Sequence, residues 1–175
     1  TVGVGDSCAP SLSLLNQGFK VAAKSLLDAG YVVIAPDYEG LGVAGIHPYL
    51  NLESEAKAVI YGVKTLQNQY AGDFNGAWMV AGQSQGGQAA LGTAEYANED
   101  STFKGAVAGA PASSLDKIIQ EVAPVALSRL EDQEKRANTN LEDRNSIHSY
   151  ATLLSYGAFI GMGIRAEHPD FDYLD

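Results

Sequence analysis

Apolar residues recur at helical spacing in two stretches of the first half of the chain. Steps of three and four residues place the members of each stretch on one face of an amphipathic helix. The first helix should end at Gly30, and its apolar positions are Leu12, Leu15, Phe19, Ala22 and Leu26. The second should end before Gly72, and its apolar positions are Ala56, Val59, Ile60, Val63 and Leu66.

Continuous apolar runs predict three buried strands. Tyr31–Ala35 is a β-rich run stopped by Pro36, and the runs Ala77–Ala81 and Lys104–Gly109 follow later in the chain. A helix with small residues on one face is predicted over Gly86–Ala97. Helices and strands therefore alternate, which predicts an α/β fold with parallel central strands joined by right-handed crossovers.

The chain changes character near Pro111. Residues 1–111 contain 16 of the 19 glycines, whereas residues 112–175 contain 17 of the 32 charged residues. After this point we expect helices only. Ser114 should cap one that Pro124 interrupts, a charged stretch follows, and a last helical segment begins near Ile147. We predict two parts, an α/β core over 1–111 and a helical cap over 112–175.

Composition excludes several classes of function. The 175 residues carry a net charge of −10, which repels phosphate backbones and anionic lipid and argues against nucleic-acid binding. No apolar run approaches the roughly 18 residues of a membrane span, so we expect a soluble protein without stable membrane insertion. Thr1 is the first residue, from which we expect a trimmed or partial product of a longer reading frame.

The cysteine content leaves the compartment open. Cys8 is the single cysteine, so no disulfide can form within the chain. A cytosolic protein with one buried thiol and a protein whose Cys8 pairs outside this segment both fit.

Gly82-Gln83-Ser84-Gln85-Gly86 matches the G-x-S-x-G pattern of a nucleophile elbow. The motif begins where a predicted strand ends and runs into a predicted helix, which is the setting the elbow requires. Such a turn strains Ser84, and we expect small residues two positions before and after it. The pattern predicts Ser84 as a nucleophile and the Gln85 backbone N–H as an oxyanion donor. The alternative is a glycine-flanked turn in which Ser84 only caps the helix.

A second glycine pattern, Gly40-Leu-Gly42-Val-Ala-Gly45, matches the dinucleotide-binding fingerprint G-x-G-x-x-G. In that fingerprint the third glycine lies in the first turn of a helix, but here Pro48 follows three residues later. We therefore interpret these glycines as loop residues and expect no cofactor.

None of the three histidines has the sequence context of a catalytic base. His47 precedes the serine, whereas the triad order of this elbow is serine, acid, histidine, so we expect a loop residue. His148 and His168 follow Ser84, but neither follows a strand that could hold it near the elbow. The acidic candidates share this defect and are expected to be solvated. They are Asp116, Asp132, Asp143 and Asp170. No spacing of histidines and carboxylates indicates a metal site.

Four motifs in the first part resemble the secretory lipases of actinobacteria and fungi, members of the α/β-hydrolase superfamily. They are Asp6-Ser-Cys-Ala-Pro-Ser11, Gly30-Tyr-Val-Val-Ile-Ala-Pro-Asp-Tyr-Glu-Gly-Leu-Gly42, His47-Pro-Tyr-Leu50 and Gly82-Gln-Ser-Gln-Gly-Gly87. The resemblance covers roughly residues 1–111 and implies a partial α/β-hydrolase fold. Residues 112–175 are similar to the family only as a helical insertion at the place of its lid. Gln83 stands where relatives often have His or Tyr.

The resemblance implies a secreted lipase or esterase that hydrolyses carboxylic esters, from acylglycerols to short activated esters, and takes part in lipid degradation. Ser84 carries over as the nucleophile and the Gln85 N–H as one oxyanion donor. The second donor would lie at the extreme start of the chain or before it, and the triad Asp and His beyond the lid, outside this chain. In an exported protein, Cys8 would pair with a cysteine elsewhere.

Other functions remain open at this point. The chain could be a non-catalytic α/β binding module or an inactive fragment, and the same elbow also serves acyltransferases and peptidases. Acyl chain length, lid opening and oligomeric state are not encoded in a form that can be read.

Overall fold

Two parallel strands, β1 (Trp78–Gln83) and β2 (Phe103–Gly109), form the sheet of the computed structural model, which describes residues 3–74 and 76–172. Helix α3 (Gln85–Tyr96) connects them, as expected for a parallel crossover. The register pairs Trp78 with Phe103 and Gln83 with Gly109. The predicted second and third strands and the helix between them are confirmed, with bounds moved by one or two residues.

Two helices precede the sheet, α1 (Gln17–Asp28) and α2 (Leu52–Gln69). Each begins after an asparagine whose side chain accepts a backbone N–H of the first turn, from Phe19 for Asn16 and from Ser54 for Asn51. Both helices were predicted. The prediction that Leu12 and Leu15 belong to α1 is wrong, because Asn16 starts the helix after them.

The predicted buried strand Tyr31–Ala35 is not a strand in the structure. These residues form neither helix nor strand and join no sheet within the described part, and Tyr31, Val32 and Ile34 are exposed. Ile34 lies against α2, with its Cδ1 3.2 Å from the position that a Cβ on Gly62 would occupy. The apolar run has one helix as its neighbour here instead of the two layers that would bury it.

The core lies between α2, α3 and one face of the sheet. Ala56, Ile60 and Val63 of α2 are buried, as are Ala89 and Ala90 of α3. The small residues of α3 let the helices approach closely.

On the sheet itself, Val80 is buried, whereas Met79 and Val107 on the other face are exposed. The prediction that β1 is a buried strand therefore holds for one of its faces and is wrong for the other, which the described residues leave uncovered.

The remaining described chain is helical. Helix α4 (Leu115–Lys117) continues through a π-helical turn, Ile118–Val122, into α5 (Ala123–Arg136), and α6 (Asn145–Glu167) follows. Helices without strands were predicted here. Two details were wrong. Ser114 makes no side-chain cap, and Pro124 lies in the first turn of α5 without breaking the helical run, because a proline needs no intrahelical donor there.

One carboxylate connects α5 to α6. Glu134 accepts backbone N–H groups from Asn145 and Ser146 and the Ser146 hydroxyl, so it caps α6 from a different helix. These hydrogen bonds, chiefly the one from the hydroxyl, lower the pKa of Glu134. Both Glu134 and Ser146 are buried. The turn between the two helices is thereby fixed by an ionised side chain.

Candidate active site

Ser84 stands in the turn between β1 and α3, where the elbow motif placed it. Its backbone has φ 57° and ψ −117°, a conformation that costs a residue with a side chain about 1–3 kcal/mol and is usually found at functional sites. Ser84 is exposed, and its side chain does not cap α3. The alternative of a mere capping serine therefore has no support in the structure.

The strained turn is held from the end of β2. The Ser84 backbone N–H donates to the Gly109 oxygen over 2.9 Å, and the Ser84 oxygen accepts from Ala112 and Gln88. Since the backbone of Ser84 is hydrogen-bonded to the end of a strand on its N–H side and to a helix on its C=O side, its conformation is determined by its surroundings rather than by its own preference.

The two glycines of the motif have different roles. A Cβ on Gly82 would lie 1.9 Å from the Gly86 backbone oxygen, so only glycine fits there. A Cβ on Gly86 would meet nothing within 4 Å. The prediction that both positions must be small is right for Gly82 and wrong for Gly86, because the tight contact runs from the first position to the backbone of the second.

None of the candidate acid–base residues is hydrogen-bonded to the serine hydroxyl in the described structure. His148 and His168 are exposed, and so are Asp116, Asp132, Asp143 and Asp170, as expected. No histidine or carboxylate of the described residues forms a hydrogen bond with Ser84 Oγ. Within the described residues, Ser84 thus lies in an exposed turn without a hydrogen bond to a base.

Gln85, the residue after the serine, is the first residue of α3. In the first turn of a helix the backbone N–H groups point out of the helix end, where the helix dipole is positive. Its side chain points the other way, is 5% exposed, and contacts two residues from earlier in the chain. Gln85 Nε2 lies 2.8 Å from Glu55 Oε1 and 3.1 Å from His47 Nε2.

Sequence reasoning missed the contact that Glu55 and His47 make with the elbow. Both side chains are fully buried. Glu55 stands four residues before Val59, on the apolar face of α2, and a carboxylate on such a face is a signal that could have been read. His47 lies in a loop, as predicted, but no sequence pattern indicates that its ring reaches Gln85.

The glycine-rich loop is a packing element. Residues 31–51 contain no helix or strand, and α2 begins only at Leu52, so no helix follows Gly45 as a dinucleotide site would require. Ser11 donates its backbone N–H and hydroxyl to the carboxylate of Asp37, which joins the loop to the start of the chain. Cys8, nearby in sequence, has a free thiol.

Helix α6 packs on the loop that carries His47. Tyr49 meets Phe159 edge to face, with ring centroids 5.6 Å apart, and also meets the His47 ring. A Cβ on Gly163 would lie 2.5 Å from the Tyr49 oxygen, so the helix backbone touches the loop backbone directly. The helical part of the chain is thereby in contact with the buried cluster below the elbow.

Two further properties of the described residues concern metal binding and membrane insertion. They contain no group of three or more His, Cys, Asp or Glu side chains placed to hold a metal ion. Among them, no helix combines the length and apolar character needed to cross a lipid bilayer.

Comparison with known proteins identifies the family. No curated protein and no solved structure matches the chain. The family model described as secretory lipase matches residues 10–132. This confirms the resemblance carried by the sequence motifs, and the match covers more than half of the 175 residues. The chain belongs to the secretory lipase family.

Proposed function

We propose that the chain forms the central part of a serine-dependent carboxylic ester hydrolase in which Ser84 is the nucleophile. Family membership supports a hydrolase that acts on esters. The observation that carries the serine mechanism is the conformation of Ser84, strained, exposed and fixed between a strand and a helix. Such strain is retained where the function requires one side chain to point in a fixed direction, even though the strain lowers stability.

The reaction follows from the chemistry of an activated serine. Ser84 Oγ attacks the ester carbonyl while its proton passes to a base, and the resulting tetrahedral intermediate expels the alcohol, which takes up that proton. Water then hydrolyses the acyl-enzyme and frees Ser84. The resemblance to the family implies that the base is a histidine held by an aspartate, both from residues outside this chain.

The helix end next to Ser84 supports stabilisation of the oxyanion. The Gln85 backbone N–H belongs to the first turn of α3, where the partial positive charge of the helix favours a developing negative charge. Removing one donor of this kind costs about 10²–10³-fold in turnover. Gln85 is thus the proposed first oxyanion donor, and the resemblance to the family implies a second donor at the extreme start of the chain or before it.

The helices after Pro111 supply the apolar surface that an acyl chain requires. Ile119, Val122 and Leu154 are more than half exposed. We assign residues 112–175 as the cap over the acyl pocket, with a core over 1–111. The partner is a small-molecule ester or acylglycerol, and the family supports a secreted enzyme.

Hydrolysis of p-nitrophenyl butyrate by the full-length protein tests the proposal. Ser84→Ala should abolish hydrolysis above the uncatalysed rate, and a fluorophosphonate probe should label Ser84 in the unsubstituted protein. Ser25→Ala is the matched control, since Ser25 is an exposed helical serine whose hydroxyl bonds its own helix. It should retain full activity.

Full activity in Ser84→Ala would overturn the serine mechanism. Absence of hydrolysis in the unsubstituted protein would favour a non-catalytic module. Transfer of the acyl group to an added alcohol or amine in preference to water would favour an acyltransferase, and cleavage of amides a peptidase.

A further inference from the structure

The cluster below the elbow is assembled from three separate parts of the chain. Gln85 comes from the first turn of α3, Glu55 from the first turn of α2 and His47 from the preceding loop. All three side chains are buried, Glu55 and His47 completely. The Gln85 amide is the centre, because its nitrogen contacts the other two residues.

The hydrogen bonds define one proton arrangement. The two hydrogens on Gln85 Nε2 can serve Glu55 Oε1 and His47 Nε2 if both atoms accept. His47 Nε2 accepts only when the proton of a neutral ring is on Nδ1, and His47 Nδ1 lies 2.8 Å from the Glu39 backbone oxygen, which accepts it. Burial lowers the pKa of His47 and favours this neutral ring. In this arrangement each of the two contacts of Gln85 Nε2 joins a donated hydrogen to an atom that can accept it.

Burying the polar groups of this cluster costs free energy. Burial raises the pKa of Glu55 to about 7, because its effect outweighs the opposing effect of the hydrogen bonds from Gln85 and Leu50. Glu55 Oε2 is buried with no hydrogen-bond partner in the described part of the chain. A well-packed apolar side chain in this place would avoid that cost. Stability alone therefore does not explain why a carboxyl group lies here.

The position of the Gln85 side-chain amide connects the cluster to the backbone next to Ser84. The backbone N–H and the side chain of Gln85 belong to one residue, so fixing the amide on two sides fixes the peptide that follows Ser84. We propose that Glu55 and His47 are positioning residues that clamp the Gln85 side chain and thereby aim the Gln85 backbone N–H at the oxyanion. The inference rests on the proposed function, since it needs Ser84 to be the nucleophile.

The clamp can be removed without removing the donor. Gln85→Met keeps the backbone N–H and the side-chain length but loses both hydrogen bonds. In the full-length enzyme it should lower kcat for p-nitrophenyl butyrate by about 10- to 100-fold, since a misplacement of about 1 Å costs about that much. KM should change by less than about threefold, because the donor acts on the transition state.

Glu55 provides the rescue experiment. Glu55→Leu removes the acceptor for the Gln85 amide and should lower kcat like Gln85→Met. Glu55→Gln restores a carbonyl oxygen at the same place, so its kcat should stay within about threefold of the unsubstituted enzyme. A purely structural role would not distinguish these variants by kcat at temperatures where all are folded.

Thr93→Val is the control for lost stability. Thr93 lies on α3, is fully buried and donates its hydroxyl to the Ala89 oxygen, so this variant also loses a buried hydrogen bond. It should melt at a lower temperature and keep its kcat. The positioning role is overturned if Gln85→Met keeps its kcat, or if Thr93→Val loses as much.

Failure of the inference and failure of the proposed function give different results. If Ser84→Ala remains active, the serine mechanism itself is wrong. If Ser84→Ala is inactive while Gln85→Met is fully active, the mechanism stands and only the positioning role fails. If Glu55→Leu does not fold, Gln85→Met decides alone.

Discussion

The two glycines of the elbow should respond in opposite ways to the same substitution. In Gly82→Ala the new Cβ would lie 1.9 Å from the Gly86 oxygen and 2.2 Å from its carbonyl carbon, where ordinary contact begins at 3.4 Å. The obstructing atoms are backbone, so the first turn of α3 must move by about 1.5 Å. We expect a loss of about 3 kcal/mol in the free energy of unfolding, at the upper end for overpacking.

Gly86→Ala introduces the same methyl group into open space. Alanine is the better residue inside a helix, so the free energy of unfolding should stay level or rise by up to about 1 kcal/mol. Denaturant titration followed by the fluorescence of Trp78, the single tryptophan, measures both variants. Because Gly82→Ala also displaces the oxyanion donor, ester hydrolysis should fall about 100-fold in that variant alone. Equal losses in both variants would refute the reasoning.

Three further predictions concern the buried carboxylates and the docking of α6. Since burial raises the pKa of Glu55 from 4.5 to about 7, its contribution to stability is full below pH 4.5. That contribution should fall by roughly 3 kcal/mol as the pH rises through 7. Glu55→Gln should lack this dependence in unfolding titrations from pH 4 to 8. Hydrogen bonding by Ser146 lowers the pKa of Glu134, so its contribution is present above pH 4.5 and lost as the pH falls through the lower folded value. Glu134→Ala should therefore lower the melting temperature by a few degrees at pH 7 and by less at acid pH. Gly163→Ala would place a Cβ 2.5 Å from a backbone oxygen of the neighbouring loop and should cost about 1–3 kcal/mol, whereas Gly157→Ala, in open space, should melt unchanged in the same calorimetric scan.

Local sequence signals predicted the helices well because their causes are local. The periodic apolar face of α2 and the small residues of α3 lie within single elements, and Asn16 and Asn51 cap α1 and α2 through contacts three residues away. The error at the start of α1 has the same origin, since an apolar period does not show where a cap begins.

Strand burial depends on neighbours that the sequence of the strand does not contain. Tyr31–Ala35 has the apolar content of an internal strand, yet in the described structure it pairs with none. Met79 of β1 is exposed as well, since no described residue covers that face of the sheet. An apolar run shows that a strand can be buried. Whether it is buried depends on the elements from elsewhere in the chain that pack against it.

The candidate site was predictable to the extent that it is a contiguous motif. Ser84 and Gln85 follow from five consecutive residues, and the structure gives Ser84 the strained turn that the motif requires. The cluster below it joins residues 30 and 38 positions apart, and no local pattern encodes such contacts. The position of His47 before Ser84 in the chain concerns the triad base and has no bearing on a residue that contacts Gln85.

Labelling by a fluorophosphonate probe, with the adduct mapped by mass spectrometry, tests the central claim most directly. The account predicts one adduct, on Ser84 of the full-length protein, with parallel loss of p-nitrophenyl butyrate hydrolysis. Ser84→Ala should show neither labelling nor hydrolysis, and Ser25→Ala should show both. An adduct on another residue, or hydrolysis that persists in Ser84→Ala, would contradict it.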